Sequence, residues 1–79
     1  MSMVGMNGIK INNMGTTFDF REALQWIDFG EMVGIELNNK IRFYYKKGDT
    51  IMCKINNTIY PVKQFYIDAI QSNNWWLCE

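Results

Sequence analysis

Apolar side chains recur at Phe20, Ala23, Leu24 and Ile27, the i, i+3, i+4, i+7 spacing that sets them on one stripe of a helix. Asp19 stands just before this run and Glu22 three residues later. That is a capping-box pattern, in which side-chain oxygens accept backbone N–H groups left over at a helix start. Gly30 supplies a natural stop. Together these signals predict a helix over residues 19–29. The period then changes to two. Val33, Ile35 and Leu37 alternate with Met32, Gly34 and Glu36, and Ile41, Phe43 and Tyr45 with Arg42, Tyr44 and Lys46. Ile51, Cys53 and Ile55 alternate with Met52 and Lys54, and residues 58–62 are short and β-rich. The breaks at Asn38-Asn39, Lys47-Gly48-Asp49-Thr50 and Asn56-Asn57 hold residues that tolerate the left-handed backbone of tight hairpins.

Loop length decides which way each strand faces. Three-residue loops (38–40, 48–50, 56–58) would pair Leu37 with Ile41, Tyr45 with Cys53 and Ile55 with Ile59, placing every apolar row on one face. A two-residue loop slips the register by one and throws a strand's apolar row to the other side. The expectation is therefore a four-stranded antiparallel meander with bulged three-residue turns. Its fourth strand belongs at an edge, because Pro61 cannot donate to a ladder. Phe65, Tyr66, Ala69 and Ile70 predict a short helix within 64–72, which Asn73-Asn74 ends. Residues 75–78 read as a terminal strand with Trp75 and Trp76 on opposite faces, one in the core and the other needing a subunit or a ligand. Residues 1–8 read as a flexible N-terminal tail, followed by a short strand at 9–11. Residues 9–79 read as a single α+β domain: an N-terminal helix packed on an antiparallel β-meander, a short second helix and a C-terminal strand.

Composition narrows the function. The 79 residues leave room for one domain, and 48% hydrophobic content is too apolar for a disordered chain. Apolar runs are too short to span a membrane, and the N-terminus lacks a basic segment followed by an apolar one, so a cytoplasmic protein is expected. Eight basic against eight acidic residues argue against binding a nucleic acid polymer, whose phosphates call for a basic excess. The absence of histidine removes the commonest general base and metal ligand, and Cys53 and Cys78 cannot build a zinc site alone. They read as free thiols. No catalytic residue, metal or cofactor is expected, which makes the chain a binder and not an enzyme. A core this small, with a surplus of large apolar residues (Trp26, Phe29, Trp75, Trp76), also favours a homo-oligomer, dimer or tetramer.

The balanced charge is unevenly spread. Residues 19–36 carry five acids against Arg21, net −4, and residues 40–63 carry six bases against Asp49, net +5. Opposite the apolar side of the expected hairpins sit Arg42, Tyr44, Lys46 and Lys54, with Met52 among them. Arg binds phosphate bidentately, Lys adds a mobile point charge and Tyr offers a stacking face. Such a stripe suits a small phosphorylated aromatic ligand, the plain alternative being a solvated outer face. Trp26 lies off its helix stripe and reads as a core flank or an oligomer contact ahead of a base-stacking platform. The Asn-Asn doublets read as turns, and only Asn74, next to Trp75, is given a functional role.

The opening Asp19-Phe20-Arg21-Glu22-Ala23-Leu24 with Gly30 and Val33, and the closing Asn74-Trp75-Trp76-Leu77, match a "(T/D)F-x-EAL…G-x-x-V" start and a "(D/N)W-x-(I/L/V)" end. Over residues 17–79 the chain thereby resembles the phage family of Thoeris anti-defence sponge proteins. Where members commonly carry Arg and Trp soon after the Gly-x-x-Val, this chain has Gly34-Ile35-Glu36-Leu37. The resemblance implies a small α+β homo-oligomer in the host bacterial cytoplasm that sequesters cyclic nucleotide-type immune signals, notably cyclic ADP-ribose isomers, without cleaving them. Joined to the residue pattern, it makes the expected function the capture of a small cyclic or phosphorylated nucleotide between protomers. Arg42, Lys46 and Lys54 would hold phosphate, Tyr44 and Trp75 would contact base or ribose, and Asn74 would supply a polar edge. The alternative is an inhibitor that docks its tryptophans or an edge strand onto a host enzyme, for which Trp, Tyr and Arg are equally suitable anchors.

Overall fold

The computed structural model describes residues 16–78, so the tail expected at 1–8 and the strand expected at 9–11 lie outside the described residues. Helix α1 spans Phe20–Asp28. Asp19, in extended conformation, caps it by accepting the Glu22 N–H at 3.0 Å. The Glu22 carboxylate turns the other way and accepts Trp26 Nε1–H at 3.3 Å, one turn on. Gly30 then leaves the helix at φ 91°, a conformation that L residues rarely adopt.

Five strands follow: β1 (Val33–Leu37), β2 (Lys40–Lys47), β3 (Thr50–Ile55), β4 (Thr58–Pro61) and, after the short helix α2 (Ile67–Ile70), β5 (Trp76–Leu77). They form one antiparallel sheet in the order β4-β3-β2-β1-β5. The meander, the second helix and the C-terminal strand are as expected, and Pro61 is in an edge strand. Helix α2 is shorter than the expected 64–72, and no side chain caps its start at Tyr66. Beside β5, Phe18 and Trp75 exchange two backbone hydrogen bonds of 2.9 and 3.2 Å, which tie the segment before α1 to the segment before β5.

The turns differ from expectation, and the difference reorients the sheet. Leu37 pairs with Lys40, Lys47 with Thr50 and Ile55 with Thr58, so each hairpin closes with two residues, not three. Asn38 (φ 53°) and Asn39 (φ 66°) are both left-handed, as a type I′ turn requires, and Gly48 (φ 62°) and Asn56 (φ 56°) are left-handed at the first central positions of the other two. The primed turns twist with the strands, so the short loop wins over the bulged one. Every two-residue loop inverts the odd-even phase. Tyr44 therefore faces the same way as Val33 and Cys53, whereas Ile41, Phe43, Tyr45 and Ile59 go to the opposite side.

The core forms on the side that α1 and α2 cover. Ala23 and Ile27 from α1, Val33 and Ile35 from β1, Tyr44, Cys53, Ala69 and Trp75 are buried there. Phe20, Tyr44, Phe65 and Trp75 form an aromatic cluster with ring centroids 4.9–6.3 Å apart. Trp26 packs against this core as a flank. On the other side of the sheet, the Trp76 indole lies flat against Gly34. A Cβ added there would meet the ring at 2.6 Å, so only glycine admits the tryptophan.

Candidate functional site

The six residues read as a ligand site do not share one surface. Tyr44 is 2% exposed inside the aromatic cluster, and its phenol is pushed well above the ordinary value, by burial first and by the neighbouring Cys53 second. Trp75 is fully buried, its Nε1–H donating to the Ala69 carbonyl at 3.0 Å. Of the two tryptophans it is thus the core one, and Trp76 is the one left outside. Lys46 points toward α1 and pairs with Asp28 at 3.4 Å. Lys54 is on the opposite face, between Phe43 and Ile59 in its cross-strand row. Asn74 is exposed in the turn before β5, where its N–H donates to Ser72 Oγ at 3.0 Å. The expected stripe of Arg42, Tyr44, Lys46 and Lys54 is split between two faces because of the two-residue turns.

Arg42 keeps a distinctive position. It lies on the core side of β2, in register with Ile35 and Ile55, at the end of the sheet where α2 gives way to the β1–β2 turn. Its Nη1 donates weakly to the Leu37 carbonyl at 3.4 Å, and its guanidinium carbon is 5.1 Å from the centre of the Tyr66 ring. Its Nε is buried and has no hydrogen-bond partner among the described residues. Around it opens a cleft of about 320 Å³ lined by Leu37, Asn38, Arg42, Tyr66, Ile67 and Asp68. That volume falls at the lower end of the roughly 300–1,000 Å³ usual for small-molecule sites. The ion pair among the described residues is Lys46–Asp28, so Asp68 makes no direct ion pair with Arg42.

The cleft combines one cation, the aromatic residue Tyr66, which is 56% exposed, and an amide and a carboxylate on the rim. Such a set can bind a flat anion: the fork of the guanidinium for charge, the ring for stacking, and Asn38 with Asp68 for a polar edge. Tyr66, Asn38 and Asp68 escaped the sequence reading. Phe65 and Tyr66 are adjacent aromatics with equal claim on the core by type and spacing. Phe65 joins the aromatic cluster, and that choice leaves Tyr66 outside.

Among the described residues no group of three or more Cys, Asp and Glu is placed to hold a metal ion, and no helix is long and apolar enough to cross a membrane. Cys53 and Cys78 are free thiols, and burial pushes Cys78 upward. Comparison with protein-family models, with curated proteins and with solved structures gives no match to this chain.

Proposed function

We propose that the protein is a non-catalytic binder that holds a small, flat, anionic molecule of the nucleotide class in the cleft between Arg42 and Tyr66. The observation that carries this reading is the Arg42 guanidinium 5.1 Å from the exposed Tyr66 ring in one cleft. Among the described residues Arg42 makes one long hydrogen bond, from Nη1 to the Leu37 carbonyl at 3.4 Å, so its terminal Nη groups are the donors a phosphate oxygen would accept from. The Tyr66 ring then offers a surface for a base. The resemblance to sponge proteins supports the same class of ligand and extends the proposal to sequestration of an immune signalling nucleotide in phage-infected cells. Ala23, Val33 and Trp75, which carry part of that resemblance, are core residues in this structure, so ligand choice falls to the cleft.

Calorimetric titration with cyclic ADP-ribose isomers, ADP-ribose and cyclic mononucleotides tests the proposal. Arg42→Ala should weaken binding roughly 10- to 100-fold, the cost of losing a hydrogen bond to a charged group. Tyr66→Ala should weaken it less, and Lys54→Ala, on the other face, should leave it unchanged. Ligand recovered intact after heat denaturation of the complex is the expected sign of holding without turnover. A folded protein that gives no heat with any of these nucleotides overturns the reading.

A further inference from the structure

Asp68 and Asn38 line the Arg42 cleft from two different supports. Asn38 opens the β1–β2 turn with its backbone fixed in the left-handed region, and Asp68 is the second residue of α2. The next residue, Ala69, pins α2 in place: it is fully buried, and its carbonyl accepts Trp75 Nε1–H at 3.0 Å. Both rim residues are thus carried on backbone that the fold has already positioned, as a recognition site requires. Neither side chain makes a hydrogen bond or an ion pair with another described residue. A carboxylate there repels phosphate and weakens the pull of Arg42. An anion-binding cleft has a use for it only where the ligand turns hydrogen-bond donors toward it.

We infer that Asp68 and Asn38 select the base, and that the base is guanine, an assignment that rests on the nucleotide reading above. A carboxylate accepts and never donates, and its two oxygens are best satisfied by two donors side by side. Of the common bases, guanine alone has such a pair on its pairing edge, the ring N1–H and the N2 amino group. The O6 acceptor stands next to them, and the Asn38 amide supplies donors for it. Adenine puts one amino donor beside the N1 lone pair, so one carboxylate oxygen would face a second acceptor with no proton between them. Cytosine fails in the same way through N3, and uracil has a single donor between two carbonyls. Reading a base by its pairing edge while an aromatic ring stacks on it is a common solution for unpaired nucleotides. Here Tyr66 supplies the ring, Arg42 takes the phosphate, and the Asp68–Asn38 rim is left for the edge. The cleft's volume of about 320 Å³, at the lower end for small-molecule sites, suits one nucleotide unit.

Calorimetric titration of the full chain with the 5′-monophosphates of guanosine, inosine, adenosine and xanthosine tests the base assignment. The guanosine nucleotide should bind about 10- to 100-fold more tightly than the adenosine one, the usual worth of a good bidentate contact. Inosine monophosphate, which lacks the N2 amino group, should fall between them. Asp68→Asn exchanges one acceptor oxygen for a donor, so it should abolish the guanosine preference and favour xanthosine monophosphate, whose O2 accepts where guanine donates. Loss of folding cannot produce that reversal. Asn38→Gly keeps the left-handed turn and removes the amide, and should weaken guanosine monophosphate about 2- to 10-fold. Equal affinity for the guanosine and adenosine nucleotides, or a preference for adenosine, overturns the base assignment and leaves the nucleotide reading standing. A guanosine preference that survives Asp68→Asn overturns it as well, by placing the base elsewhere. A folded chain that binds none of the four overturns the nucleotide reading and the base assignment together.

Discussion

At the scale of single residues, two side chains divide the roles that the sequence pattern could not separate. Trp75 and Trp76 are adjacent, yet one is fully buried and the other lies on the open side of the sheet. Trp75 touches Phe20, Tyr44 and Phe65 and hydrogen-bonds Ala69, so it joins α1, β2 and α2 at once. Replacing it with Ala should cost about 3–5 kcal/mol, which is most of what a small domain has, and the variant should be largely unfolded by chemical denaturation. Trp75→Phe keeps an aromatic ring but removes the indole donor to the Ala69 carbonyl, which still accepts the Ser72 N–H at 3.3 Å, so the lost bond should cost about 0.5–1.5 kcal/mol. Equal stability of Trp75→Phe and wild type would contradict the assigned hydrogen bond. Arg42 was singled out from its charge and neighbours. Its partner Tyr66 was not, because the spacing of residues 65–70 offers both aromatics to the helix stripe and only packing chooses between them.

At the scale of elements, the turns decide more than the strands do. Asn38-Asn39 holds two consecutive left-handed residues, and the β1–β2 pairing depends on them. Left-handed backbone costs an ordinary L residue about 1–2 kcal/mol, and asparagine and glycine less. Asn39→Ala should therefore lower the stability by about 1 kcal/mol, and Asn39→Gly should match or exceed wild type in thermal unfolding. Loss of stability on placing Gly there would mean that the Asn side chain, and not the backbone, is what the turn requires. The Asn-Gly-Asp chemistry marked where the breaks fall. It did not reveal whether two or three residues close each hairpin, since both kinds of loop accept the same residues. That one-residue difference moved Ile41, Phe43 and Tyr45 out of the core and brought Tyr44 into it.

At the scale of the molecule, the two sides of one sheet differ. The helix-covered side supplies the core and, at its margin, the Arg42 cleft; the open side carries Ile41, Phe43, Tyr45 and Trp76. Resistance to alkali is a property of the whole core, because Tyr44, Cys53 and Tyr60 lie in one row across β2, β3 and β4. Tyr44 is raised by burial first, and Tyr60 is raised by its hydrogen bond with Cys53 first and burial second. The folded protein therefore retains phenolic protons at a pH where the unfolded chain has lost them. This contribution is complete below the ordinary tyrosine value of about 10 and is lost as the pH climbs above it toward the folded-state values. The urea midpoint should hold through pH 9 and fall beyond about 10, and Tyr44→Phe should make that fall shallower. A wild-type midpoint that stays level well above pH 10 would contradict the burial of Tyr44.

The chain's own residue spacing determined helix α1 with its Asp19 cap, the four strands of the meander, the positions of the turns and the edge place of Pro61, but not the pairing of β5 with β1. Those features follow from contacts within a few residues, where periodicity and capping act. Tertiary structure alone decided which side of each strand faces inward. The outer residues Ile41, Phe43 and Tyr45 are as apolar as a core row, and Tyr44 between them is itself large and mostly apolar, so hydrophobicity did not favour either phase. The two-residue turns and the packing of Trp75 against Tyr44 settled it, sending the basic residues to two surfaces and leaving Arg42 with Tyr66 at the mouth of the cleft.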